Sequence, residues 1–141
     1  MKISARNILA GKVDKVVRGA VNAEIDLTLR GGETVVAVIT NVSAEALGLG
    51  AGTAAYAIIK ASDVIVGKDV QAGKFSARNV LDGVVDSVED GAVNSEVIIQ
   101  LPGGSKIAAS ITKTSVHALG LKNGDEISAI IKASNVIVGL Q

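Results

Sequence analysis

Shifted by 72 positions, the sequence overlays itself: residues 3–67 align with 75–139 without a gap, and 36 of the 65 pairs are identical. Chance does not produce such a match, so whatever fold one copy adopts the other must share. The matched segments are Ser4–Asn7 with Ser76–Asn79 (SARN in both), Gly19–Asn22 with Gly91–Asn94 (GAVN), Ile39–Ser43 with Ile111–Ser115 (IT..S), Leu47–Gly52 with Leu119–Gly124 (LGL..G) and Ile58–Gly67 with Ile130–Gly139 (IIKAS.VIVG). Lys68–Lys74 matches nothing. The expected organisation is therefore a first domain over 1–67, a linker over 68–74 and a second domain over 75–141. A period this long exceeds the common solenoid repeats and suits a complete, very small domain. A unit of about 65 residues buries only a limited fraction of its surface, so pairing between copies or between chains is expected.

The composition of each copy favours strands. Val and Ile together number 35 of 141 residues, whereas the only aromatic residues are Tyr56 and Phe75. Stiff β-branched side chains pack well on a pleated surface, so the core must be aliphatic and largely β. In the first copy, Ala5–Val17 reads as a strand, and after a turn at Gly19-Ala20 the alternation of Ile25, Leu27 and Leu29 within Ala23–Leu29 reads as a second. Arg30-Gly31-Gly32-Glu33 is a hairpin signal before a third run, Thr34–Thr40. Ser43 is the expected N-cap of a short helix, Ala44–Leu47, stopped by Gly48. Ala54–Lys60 and Asp63–Val66 complete the copy as two more strands. The order β-β-β-α-β-β fits two tandem five-stranded OB-like barrels, all-β with short helices; an exchanged or open arrangement would give the same string.

Several chemistries lack raw material. There is no cysteine and one histidine, His117, which faces Glu45 in the other copy. Disulfides, thiolate metal sites and Ser-His or Cys-His nucleophiles are thereby disfavoured, and no enzyme activity, cofactor or metal-cation site is expected. Fourteen basic residues balance fourteen acidic ones, so no net field draws in nucleic acid or anionic membrane. The start of the chain is too polar for a signal h-region and no apolar run reaches membrane-spanning length, which points to the cytoplasm. Asp14 and Asp86, like Glu24 and Glu96, occur in both copies without an acidic sequence neighbour, and read as strand-face charges or structural ion pairs rather than a catalytic pair. The glycines of Gly48–Gly52 precede a strand rather than a long helix, so they read as a turn and not as a phosphate loop.

What both copies retain is a set of donors: Ser4, Arg6, Asn7, Thr40, Ser43, Lys60 and Ser62, matched by Ser76, Arg78, Asn79, Thr112, Ser115, Lys132 and Ser134. Arginine and lysine only donate, hydroxyls can donate, and the Ser43 and Ser115 regions are helix starts with free backbone N–H groups. Two cations about 4 Å from a dianion contribute several kcal/mol each at an effective dielectric of about 20, against the cost of desolvation. Neutral donors then fix shape without overcharging a neutral protein. A small, compact oxyanion suits this set better than a long polyanion.

SARN, IT..S and IIKAS.VIVG, in that order and twice over, resemble the molbindin or Mop-domain family, the OB-like domain that binds molybdate and tungstate. The resemblance covers roughly 3–67 and 75–139, the arrangement of a tandem di-Mop protein. It implies a homotrimer with oxyanions held between domains. One kind of site would take Ser4, Ala5, Arg6, Lys60, Ala61 and Ser62 together with Thr40 and Ser43 delivered from a neighbouring domain. Its second-copy equivalent would take Ser76, Ala77, Arg78, Lys132, Ala133, Ser134, Thr112 and Ser115. A second kind, on the threefold axis, would take Val21 and Asn22 and Val93 and Asn94. The chain shows neither the winged-helix DNA-binding segment nor the ATPase region that accompany such domains in regulators and transporters, so storage or buffering of molybdate or tungstate is the function implied. The alternatives are an OB-type nucleic-acid-binding module, which would want a basic groove and stacking aromatics, and a partner protein that handles a molybdopterin cofactor, for which the aliphatic composition offers no stacking surface.

Overall fold

The structure, a computed structural model, describes residues 1–141. The first copy runs β1 (Asn7–Arg18), β2 (Asn22–Leu29), β3 (Thr34–Thr40), α1 (Asn41–Ala46), β4 (Ala54–Ile59) and β5 (Ile65–Gly67). The second repeats it as β6 (Asn79–Asp90), β7 (Asn94–Gln100), β8 (Lys106–Thr112), α2 (Lys113–Leu119), β9 (Glu126–Ile131) and β10 (Ile137–Gly139). Short 3-10 turns lie at Ala61–Asp63, Ala72–Lys74 and Ala133–Asn135. No helix is long and apolar enough to cross a membrane.

Two local expectations are corrected. The helix N-cap is Thr40, not Ser43: its hydroxyl oxygen accepts the Ser43 N–H at 3.0 Å, which places Ser43 inside the first turn. Thr112 does the same for Ser115 at 3.1 Å. The last strand of each copy starts later than expected, because Asp63 belongs to a 3-10 turn closed by its N–H on the Lys60 carbonyl. The helix stops follow the glycines, with Gly48 and Gly120 in the left-handed region at φ 61° and 59°, where a Cβ would be strained.

The ten strands form two antiparallel five-stranded sheets, ordered β10-β4-β1-β2-β3 and β5-β9-β6-β7-β8. Each sheet takes four strands from one copy and its outer strand from the other: β10 pairs with β4, and β5 pairs with β9. The exchange has a local cause. The 3-10 turn at Ala61–Asp63 packs on β8, and that at Ala133–Asn135 packs on β3, so each chain segment leaves its own sheet before its last strand begins. β10 also lies against β3, and β5 against β8, which curls each sheet into an OB-like half-barrel.

The long strands β1 and β6 serve two neighbours because each carries a bulge, between Val13 and Lys15 and between Val85 and Ser87. A bulge bends the strand and sharpens its twist, so its first half can ladder with β4 or β9 and its second with β2 or β7. The residues left unpaired are Asp14 and Asp86, which accounts for an exposed carboxylate at the same place in both copies.

Beneath the sheets, 29 buried apolar residues drawn from both copies form a single cluster, with Ile25, Leu27, Val35 and Ile59 from one and Val97, Ile99, Ile107 and Ile131 from the other. The two units therefore share one core. A reciprocal clasp holds them in register. Asn7, buried at the start of β1, donates through Nδ2 to the Ala108 carbonyl at 2.9 Å, and its Oδ1 accepts the Ala108 N–H at 2.7 Å. Asn79 repeats this on Val36, at 2.8 and 2.7 Å. Each amide thus supplies the free edge of the opposite sheet with the two bonds a further strand would give. Where the β2–β3 and β7–β8 turns meet, Gly31 and Gly103 touch so closely that a Cβ on either would lie within 2.7 Å of the other's carbonyl oxygen.

Asn7→Ala leaves the Ala108 N–H and carbonyl without their side-chain partner and removes a bond to the Ile59 carbonyl; it is expected to cost roughly 2–6 kcal/mol in urea unfolding, since each of the two buried orphans costs about 1–3 kcal/mol. A single cut engineered between Val70 and Lys74 is expected to leave the halves co-eluting on native size exclusion and separating only in denaturant. Spontaneous separation would contradict the strand exchange.

Candidate functional site

The donors common to both copies gather where the copies meet. The lead-in to β1 and the turn after β4 lie side by side because Asn7 pairs with Ile59 in the β1–β4 ladder, which sets Ser4, Ala5 and Arg6 beside Lys60, Ala61 and Ser62. These six residues line one cleft of about 600 Å³, closed by Ile3 and Ile58 and, from the second copy, by Ser110 and Ile137. Ala61 is buried where its turn packs on β8, so the position needs a small side chain. An adjoining hollow of about 420 Å³ joins Ser62 to Ser110 and to Ser115 on α2. The serine of IT..S thus arrives from the other copy: Ser115 goes with the Arg6 cleft. In the second copy Asn79 pairs with Ile131 in the β6–β9 ladder, and the Ala133–Asn135 turn packs on β3, the strand that leads into Ser43. Thr40 and Ser43 are not brought to the cleft of their own copy.

The repeated arginines are not free. Arg6 forms a two-pronged pair with Glu96 of the second copy, its Nη2 donating to Oε1 at 2.9 Å and its Nη1 donating to Oε2. Arg78 donates to Glu24 of the first copy at 2.6 Å. Glu24 and Glu96 are therefore structural ion-pair partners across the copies, and their recurrence in sequence is explained. Lys60 and Lys132 stand exposed at the starts of their 3-10 turns and join no salt bridge. The ammonium groups are the unpaired cations of the two clefts.

Three expectations about donors change. Asn7 and Asn79 spend their amides on the edge strands and have nothing to offer a ligand. The Ser43 and Ser115 backbone N–H groups are taken by Thr40 and Thr112, and the hydroxyls of each Thr–Ser pair bond to one another at 2.9 and 2.8 Å. Ser110 is a further donor outside the repeated set. Its counterpart is Val38, so a search for residues common to both copies passes over it. Val21 and Val93 stand exposed at the β1–β2 and β6–β7 tips, 71% and 73% accessible, and the Asn22 and Asn94 carbonyls close those turns on Gly19 and Gly91.

Charge on the β2 face is uneven. The hydrogen bond from Arg78 holds the Glu24 carboxyl below the usual carboxylate range, and the adjacent Asp26 lowers it further. Asp26 is pushed up, by burial first and then by the Glu24 carboxylate; its Oδ1 is buried without a partner, and Lys15 lies 3.7 Å from Oδ2. Arg78 is correspondingly raised by Glu24.

The model of the TOBE domain matches residues 3–66 and 76–138. The chain is 44% identical over 140 residues to the molybdenum-pterin-binding protein MopA of Rhodobacter capsulatus, covering 99% of this chain and 53% of that protein. It is 40% identical over 141 residues to the molybdenum transport protein ModE of Herbaspirillum seropedicae, covering 100% of this chain and 52% of the relative. The chain spans about half the length of these relatives. Among solved structures, it resembles the cytoplasmic molybdate-binding protein ModG with molybdate bound, at a TM-score of 0.94 and 48% identity over the whole of both chains.

Asp26→Asn tests the charge reading. A carboxyl whose folded pKa is raised destabilises the fold while ionised and ceases to do so as pH falls through that raised value. The variant is expected to unfold at a higher temperature than the natural chain at pH 7, with the gap closing below about pH 4, the unperturbed carboxylate range. Glu24→Gln is expected to behave oppositely, destabilising at neutral pH and indistinguishable once Glu24 is protonated.

Proposed function

The chain belongs to the TOBE-domain family as a tandem di-Mop protein, and on that footing we propose that it binds molybdate, without chemical turnover, in clefts shared between its two repeats. One observation carries the reading: Ser4, Arg6, Lys60 and Ser62 of one copy line a single cleft with Ser110 of the other, a surround made only of donors and aliphatic walls. In the proposed site the Lys60 ammonium supplies the unpaired positive charge, the hydroxyls of Ser4, Ser62 and Ser110 turn their protons toward the oxygens of a tetrahedral dianion, and Arg6 shares its guanidinium between the ligand and Glu96. Ala5 and Ala61 keep the backbone close, since their methyl groups leave room for the anion. Ser115 completes this cleft, and Ser76, Ala77, Arg78, Lys132, Ala133 and Ser134 with Ser43 compose its twin.

The proposed assembly is a homotrimer. Its support is the apolar exposure at one end of the first copy, where Val17, Val21 and Val42 are 51%, 71% and 77% accessible, with Val93 at the matching tip of the second. Asn22 and Asn94, next to those tips, are the proposed donors of a site on the threefold axis. The role is storage or buffering of the oxyanion in the cytoplasm. Tungstate, also a tetrahedral dianion of nearly the same size, fits the same donors.

Calorimetric titration with sodium molybdate is expected to show saturable uptake at micromolar concentration, and sedimentation equilibrium a mass three times that of the chain. No saturable uptake ends the proposal. Lys60→Ala combined with Lys132→Ala is expected to weaken uptake roughly tenfold or more, as removal of a close unpaired cation from a dianion should. Protein from molybdate-fed cells is expected to carry molybdenum without pterin fluorescence; pterin in stoichiometric amount would favour a cofactor-handling role instead.

A further inference from the structure

Duplication supplies an internal control: the serine, arginine and lysine donors before β1 and β6 and after β4 and β9 are the same in both copies, so a difference in their surroundings is a difference in what they do to an anion. The surroundings have diverged in charge. Beside Arg6, a polar hollow of about 430 Å³ is lined by Glu89, Asp90 and Glu96 together with Ser95 and Ser110. Glu89 lies directly across from Glu96 in the β6–β7 ladder, a like-charge pair, and Asp90 accepts a hydrogen bond from Ser95 at 2.7 Å. Ser87 and Asp90 stand where the first copy has Lys15 and Arg18, and the one cation the second copy adds at this end is Lys113 at the start of α2, whose N–H bonds to the Val93 carbonyl where the first copy has Asn41. At the matching places around Arg78 stand Val17, opposite Glu24, and Arg18, which pairs with Glu45 of α1 at 3.0 Å. The one added acid there, Asp26, has Lys15 3.7 Å away and in the second copy is replaced by Ile98.

Counting Glu24, Asp26, Glu45, Lys15 and Arg18 on one side and Glu89, Asp90, Glu96 and Lys113 on the other, the Arg78 surround is one unit of charge more positive than the Arg6 surround. Against this, the Arg6 cleft has the Ser110 hydroxyl where β3 places Val38 opposite Glu24. One neutral donor is worth less to a dianion than a unit of nearby charge, because Coulomb attraction scales with the ligand's double charge while a neutral hydrogen bond largely exchanges for one with water.

We propose that the two clefts of a chain are unequal: the one on Arg78 and Lys132 takes the oxyanion first, and Glu89 with Asp90 hold the affinity of the one on Arg6 and Lys60 down. This inference rests on the molybdate reading above. It makes Glu89 and Asp90, which no common-residue pattern selects, determinants of affinity, and it gives the chain a graded response over a wide range of oxyanion concentration. Because the grading is electrostatic and solvent-exposed, it narrows at high ionic strength.

The test is calorimetric titration of the intact chain with sodium molybdate at low salt. The natural chain is expected to show two classes of interface site about tenfold or more apart in affinity. Arg78→Gln is expected to abolish the tighter class and Arg6→Gln the weaker. Glu89→Val, which installs the residue found at position 17 in an exposed place, is expected to strengthen the weaker class severalfold and leave the tighter one alone. A single class in the natural chain, loss of the tighter class in Arg6→Gln, or no response to Glu89→Val overturns the inference while leaving molybdate binding standing. No uptake by the natural chain overturns both.

Discussion

Everything in the molecule depends on the reciprocal hold of each copy on the other's sheet edge. A lone copy would expose β3 or β8 as an unpaired edge and would lack its outer strand. Asn7 and Asn79 answer the first deficiency with a buried amide that imitates a strand, and β5 and β10 answer the second by exchange. An amide satisfies a backbone N–H and C=O at once, which no other short side chain does as well, and its burial makes the loss of either bond costly. A single apolar core across both copies follows from this hold, and so does the placement of the clefts, since the residues after β4 and before β1 lie where the partner's edge strand arrives.

The same contact explains why the cationic side chains sit as they do. Each repeated arginine reaches across to a glutamate of the other copy, so the guanidinium is positioned by the fold before any ligand arrives, and the nearby lysine is left without a partner. A cleft built this way is preorganised in its hydroxyls and backbone, while its strongest fixed cation is shared with a carboxylate. A ligand of such a cleft would be selected by shape and donor direction more than by raw charge, in keeping with a protein of no net charge. Duplication within one chain then lets the two clefts drift apart electrostatically while the ladder that positions them stays the same, because Glu89, Asp90, Val17 and Arg18 sit on the exposed face and are indifferent to core packing.

Much of the fold was legible in the residues. Alternation at Ile25, Leu27 and Leu29, the Gly31-Gly32 turn and the glycine stop at Gly48 are local signals, and local physics set those elements. Thr40 and Ser43 are both competent caps three residues apart, and the choice belongs to the one whose side chain can reach over the first turn. Asp63 resembles a strand residue in sequence, since nothing in its neighbours announces that the chain must turn there to reach another sheet. Ser110 stayed hidden because it occurs in one copy only.

The amino-acid sequence by itself determined the repeat, the β-rich aliphatic character of each unit, the strand order within it and the donor set that recurs, since these depend on contacts between residues near in the chain or on identity alone. Only the tertiary structure decided which copy owns the last strand, that Asn7 serves the fold while Lys60 remains available, that Ser115 rather than Ser43 joins Ser62, and which carboxylates surround each arginine. These are matters of contact across 40 to more than 100 residues, where one string of elements is compatible with several pairings and only the burial of a shared core selects among them.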